Sequence, residues 1–98
     1  MINKENFHPL NYIKKEEYSG SMDGMRYMLK KAKVEDADKL MVIVWPEPLG
    51  IHATADELKT VQYFELDTDG VSDAADWINK QLFDREEEWK AALERGLL

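Results

Sequence analysis

The run Leu40-Met41-Val42-Ile43-Val44-Trp45 is the feature that most constrains this chain. It is rich in β-branched residues and apolar on both of its alternating faces, which is the pattern of a central strand covered on at least one side. Pro46 and Pro48 close it, because proline lacks the N–H that a sheet ladder needs. A strand of this kind requires neighbours on both edges and a covering layer.

The neighbours are legible on either side. Asp23-Gly24 supplies the positive backbone angles of a type I′ hairpin turn. It separates a strand near 16–22 from a second at 25–34, in which Met25, Tyr27 and Leu29 alternate with Arg26, Met28 and Lys30. Gly20 weakens the first of these and suggests a bulge. The polar stretch 35–39 reads as the loop into the apolar strand at 40–45. Thr54-Ala55-Asp56-Glu57 has the spacing of a capping box and predicts one helical turn near 55–58. Thr60-Val61-Gln62-Tyr63-Phe64-Glu65-Leu66 reads as a fourth strand, 60–66.

The covering layer is the last third. Val71, Ala74, Ala75, Ile78 and Leu82 recur at helical spacing, and Trp89, Ala92 and Leu93 continue the stripe. Thr68 or Asp69 is the expected cap of a helix over 69–95. Arg85 falls in the middle of this stripe and Phe83 on its polar side. Phe83-Asp84-Arg85-Glu86-Glu87 also resembles a new helix start, so either one helix or a pair kinked near 83 is compatible with the pattern. An unbroken helix would be roughly 40 Å long at 1.5 Å per residue and would overhang a four-stranded sheet, exposing Trp89 and Leu93 unless they met a second chain or folded back. The expected architecture is α+β: an antiparallel sheet of three to four strands with the C-terminal amphipathic helix on one face, as a single domain over 1–98 with an irregular arm at 1–12.

Composition narrows function by exclusion. The chain has 98 residues and no cysteine, which removes disulfides, thiolate metal sites and a cysteine nucleophile. No apolar run approaches the length of a membrane span, and the first residues lack the apolar core of a signal peptide, so a cytoplasmic protein with no membrane contact is expected. The net charge is −7. Residues 1–49 carry eight basic and eight acidic side chains; residues 50–98 carry five and twelve. So acidic a second half disfavours direct nucleic-acid binding.

No Walker loop, dinucleotide fingerprint or nucleophile elbow is present. Ser19 and Ser21 could be activated only by one of two histidines, His8 or His52. His52, Asp56 and Glu57 fall short of a metal-ligand set. No cofactor, metal or catalytic residue is therefore assigned. Two local features remain as binding candidates. One is the proline-stiffened loop from Trp45 to His52, which presents Glu47 and His52. The other is Arg26 with Lys30, beside Lys31 and Lys33, with Tyr27 adjacent in sequence.

These observations lead to a non-catalytic protein-interaction module. Its partner is another protein or a second copy bound through the C-terminal helix, with Trp77, Phe83 and Trp89 as candidate contacts. Two alternatives follow from other features. An acidic row of Asp69, Asp73, Asp76, Asp84 and Glu87 would suit a decoy that imitates nucleic acid and occupies a nucleic-acid-binding protein. The 45–52 loop with Arg26 or Tyr27 would suit a small-ligand binder or an enzyme.

Overall fold

Two tight turns organise the sheet. Asp23 and Gly24 have φ of 50° and 96°, and Glu35 and Asp36 have φ of 51° and 69°. Positive angles at both central residues match the right-handed twist of the strands they join. In the computed structural model, which describes residues 2, 9–47 and 50–96, these turns link β1 (Tyr18–Met22), β2 (Met25–Val34) and β3 (Ala37–Pro46) into a meander. Two 3₁₀ turns, Ile51–Ala53 and Asp56–Leu58, lead to β4 (Thr60–Glu65). The sheet is antiparallel throughout in the order β1-β2-β3-β4. A short helix α1 (Leu10–Ile13) precedes β1, and α2 (Thr68–Asp84) and α3 (Glu86–Gly96) follow β4.

The α+β architecture expected from the sequence is therefore the observed one, with the apolar run at 40–45 inside β3 and paired on both edges. The strand boundaries differ at four places. β1 begins at Tyr18 rather than near 16, β3 runs on to Pro46, and β4 stops at Glu65 rather than 66. β3 begins at Ala37 because Glu35 and Asp36 alone make the turn, which frees 37–39 to pair with β2. Glu35 in the left-handed region is unusual for a side chain of its type, so composition gives no signal for it. Of the arm at 1–12, the described part includes Ile2 and residues 9–12; Met1 and positions 3–8, including His8, lie outside the described residues.

Strand alternation divides the sheet into two faces. Met25, Tyr27, Leu29, Leu40, Val42 and Val44 pack with Ile13, Val71, Ala74, Ala75, Ile78, Leu82 and Trp89 into the main core. Met28, Ile43 and Trp45, with Met41 against them, form a smaller cluster on the other face. The buried stripe of α2 includes the small residues Gly70, Ala74 and Ala75 and ends with Ile78 and Leu82. A Cβ on Gly70 would stand 1.7 Å from the Glu65 carbonyl oxygen, so the first turn of α2 rests directly on the end of β4. The helix is capped by Asp67, whose Oδ1 accepts from the Gly70 N–H at 2.7 Å, one or two residues earlier than the expected Thr68 or Asp69. The expected turn near 55–58 forms as a 3₁₀ turn, but Thr54 does not cap it; its hydroxyl donates back to the Gly50 carbonyl at 2.8 Å.

The C-terminal stripe is broken. Arg85 leaves helical geometry at φ −118° and ψ 28°, and α3 folds back against the sheet. Trp89 is 1% exposed, so the chain itself resolves the overhang expected of a single long helix.

Candidate functional site

The elbow between α2 and α3 is built around one buried indole. Trp89 Nε1–H donates to the Gln81 carbonyl at 3.0 Å, and the Arg85 backbone N–H donates to the same oxygen at 3.1 Å. A carbonyl in the last turn of α2 thus keeps its regular helical bond and accepts a second one from the indole. The Arg85 guanidinium lies over the Trp89 ring, 4.5 Å from its centroid. It grips Glu88 in a bidentate pair at 2.9 and 2.8 Å, and donates to Gln81 Oε1 at 3.2 Å and Thr60 Oγ1 at 2.9 Å. The residue that spoils the apolar stripe is thus the one that locks the bend to β4.

The β1–β2 turn closes the elbow from below. A Cβ on Gly24 would fall 2.0 Å from the Trp89 carbonyl oxygen, and its φ of 96° already favours glycine. The surface left between this turn and the two helices is an apolar cavity of about 420 Å³. Leu82, Phe83, Trp89 and Leu93 form its walls, and Asp23, Glu86 and Lys90 its rim. Phe83 is 69% exposed and Leu93 40%. Lys90 bonds Glu86 at 2.9 Å, which raises the lysine pKa above its ordinary value.

Of the three aromatic residues singled out in the C-terminal region, the structure puts only Phe83 in the open. Trp89 is core. Trp77 is half-buried and meets Phe64 of β4 edge-on at 6.2 Å between ring centres. The cavity also uses Asp23, Leu82 and Leu93. The periodicity that assigned Leu82 and Leu93 to a core stripe carries no signal that they border an opening.

The second candidate region is less assembled. Trp45 is 3% exposed. Arg26 Nε stands 3.7 Å from Glu47 Oε1, close enough for an ion pair but not for a hydrogen bond. Ser19, Ser21, Arg26, Trp45 and Gly50 border a cavity of about 290 Å³. Tyr27 borders it too, although alternation assigns its side chain to the helix-covered face, where its ring lies over Gly20. His52 is exposed in the first 3₁₀ turn, and Pro48 and Leu49 lie outside the described residues. Lys30 and Lys31 line a shallow depression with Lys14, Lys15, Glu16 and Glu17, so acids interrupt this basic patch.

Asp69, Asp73, Asp76, Asp84 and Glu87 are all exposed. Bases are interleaved with the acids along these helices: Lys80 bonds Asp84 at 2.7 Å, and Arg85 and Lys90 hold Glu88 and Glu86. Among the described residues, no three His, Asp or Glu side chains converge as metal ligands, and no helix is long and apolar enough to cross a membrane. No protein-family model matches the chain, and no curated protein or solved structure shows a significant match to it.

Proposed function

We propose that this chain is a non-catalytic protein-interaction module whose docking face is the α2–α3 elbow. The observation that carries the reading is Phe83, a large apolar side chain 69% exposed at the mouth of an apolar cavity. Aromatic side chains beside a desolvated pocket are the usual energetic centres of protein interfaces. The cavity volume of about 420 Å³ suits one or two inserted side chains of a partner. Its surroundings set the partner's chemistry. Asp23 and Glu86 outnumber Lys90 on its rim, so the segment that fits is apolar at its centre with a basic flank.

The test places a photoreactive phenylalanine analogue at position 83 and, as a control, at the exposed Tyr12, followed by crosslinking in cells. A protein captured at 83 but not at 12, through an apolar segment flanked by Lys or Arg, supports the reading. Its affinity for the purified chain should fall at least about tenfold on Phe83→Asp and weaken with rising salt. A partner that binds Phe83→Asp as well as it binds the unaltered chain overturns it.

A further inference from the structure

We infer that the chain forms a two-fold dimer through the outer edge of β4, with the two copies of this strand pairing antiparallel about Gln62. The starting observation is that the two ends of the sheet are unlike each other. β1 is five residues long and is weakened by Gly20, with Glu16 and Glu17 ahead of it. Among the described residues β4 is an edge strand with no strand on its outer side. Its six residues, Thr60-Val61-Gln62-Tyr63-Phe64-Glu65, contain neither proline nor glycine and are rich in strand-forming types. Natural edges are usually protected by proline, bulges or inward-pointing charges, and β4 has none of these between its ends. Three apolar side chains at this edge are exposed: Leu58 at 48%, Val61 at 40% and Tyr63 at 46%.

The sequence of this segment is complementary to its own reverse. A two-fold axis through Gln62 sets Val61 of one copy opposite Tyr63 of the other, and Lys59 opposite Glu65. It also sets Thr60 opposite Phe64 and Leu58 opposite Leu66. Each pair occurs twice. Residues directly opposite in an antiparallel pair share a face. Val61, Tyr63 and Glu65 share the face of Ile43, Met41 and Lys39, their partners in β3, and alternation places Lys59 there as well. The open face of the joined sheets would therefore carry a β-branched–aromatic pair flanked by opposite charges, both of which are favourable cross-strand combinations. Within one copy Lys59 meets Asp56 at 3.1 Å and Glu65 meets Lys39 at 2.6 Å, so the cross-strand pair adds a second partner to each of these charges. On the helix-covered face the axis sets Phe64, half-buried in the monomer, opposite Thr60 of the other copy. A shift by two residues one way sets Glu57 opposite Glu65 and Val61 opposite itself; the other way sets Lys59 opposite Asp67, beyond the strand, but Val61 opposite Glu65. Only the register about Gln62 joins the Val61–Tyr63 and Lys59–Glu65 pairs.

This interface is remote from Phe83, and it moves the self-association expected at the C-terminal helix to the strand edge. The test uses the full chain. Multi-angle light scattering over rising concentration should approach twice the chain mass of 11.4 kDa. Glu65→Lys sets lysine opposite lysine twice and should raise the dimer dissociation constant about tenfold or more, and adding Lys59→Glu should restore it. Register is read separately. Gln62→Cys introduces the chain's only cysteine, at the axis, where opposing Cα atoms are about 4.5–5.5 Å apart, within the reach of a disulfide. Mild oxidation should link these copies quantitatively, whereas Asp38→Cys should link no more than random collision does. A monomeric mass at every concentration, or equal crosslinking at 62 and 38, overturns the inference even where a charge variant fails to fold.

Discussion

Replacing Trp89 with alanine should remove a large part of the stability of this domain. The side chain is 1% exposed and closes the main core where α3 turns back on the sheet. Truncating a buried Trp or Phe to Ala costs about 3–5 kcal/mol, and a chain of this length has only about 5–15 kcal/mol in total. For a domain of this size that is a fall in Tm of at least about 12 °C. Trp89→Phe separates the contributions. It keeps most of the apolar surface but loses the N–H donated to Gln81 and part of the stacking with Arg85. The Gln81 carbonyl retains the Arg85 backbone N–H, so no buried acceptor is orphaned and the cost should be about 1–2 kcal/mol. Phe83→Ala, two residues from the bend, should lie within about 0.5 kcal/mol of the unaltered chain because the ring is mostly in water. Urea denaturation followed by far-ultraviolet circular dichroism and by the fluorescence of Trp45 and Trp77 measures all three. If Trp89→Ala costs less than about 1 kcal/mol, or Phe83→Ala costs more than Trp89→Phe, the fold-back of α3 described here is refuted.

Three further outcomes follow from local geometry. Asp67→Ala removes the only side-chain cap of α2 and should cost about 1 kcal/mol in the same denaturation assay, with Asp67→Ser recovering most of it. Gly70→Ala, although it raises helix propensity, should destabilise, because the added methyl would collide with the Glu65 backbone; a stabilised variant in thermal melts would show that α2 does not seat on β4 as described. Tyr27 is buried, and desolvation, with a smaller contribution from Tyr18, raises its phenol pKa above the ordinary value of 10.0. The unfolded chain then ionises first as pH rises, so this residue's contribution is complete below about pH 10 and is lost as pH climbs through the raised folded value. Tyr27→Phe should flatten the alkaline loss of stability measured by urea titrations at stepped pH.

The parts of this fold that were legible in the sequence are those set by periodicity and by turn chemistry. The run at 40–45 announces a central strand, Asp23-Gly24 announces its turn, and the spacing from Val71 to Leu82 announces a helix that must cover a sheet. The boundary at Ala37 was hidden because Glu35 and Asp36 adopt positive φ without the glycine that normally signals it. The elbow was half-visible. Arg85 and Phe83 break the stripe, but a helical wheel records only that they are misplaced. It cannot show that Arg85 reaches Thr60, twenty-five residues earlier, or that the Trp89 indole donates to the Gln81 carbonyl across the break. The same limit explains why periodicity, which puts Trp89 on the apolar stripe and Phe83 on its polar side, still admits both as interface contacts. Which one enters the core depends on the direction in which α3 folds back, and that is settled by contacts with the β1–β2 turn, far away in sequence.

The separation of those two aromatics is the strongest argument that the elbow has a task beyond folding. A 17-residue α2 is about 25 Å long at 1.5 Å per residue, and a bend at its end already relieves the overhang. Trp89 fills the resulting gap, and Arg85 fastens it. Phe83 contributes to neither, yet leaving such a side chain in water forgoes about 1.5–3 kcal/mol that burial would supply. Stability therefore gives no reason for an aromatic there, and a polar residue would serve the monomer equally well. Phe83→Gln should accordingly leave Tm within about 2 °C of the unaltered chain and improve solubility at high concentration, while it abolishes binding at the elbow. Differential scanning calorimetry beside the crosslinking measurement distinguishes the cases: a Phe83→Gln chain that melts more than about 5 °C lower would assign the ring to the core and take away the observation on which the docking face rests.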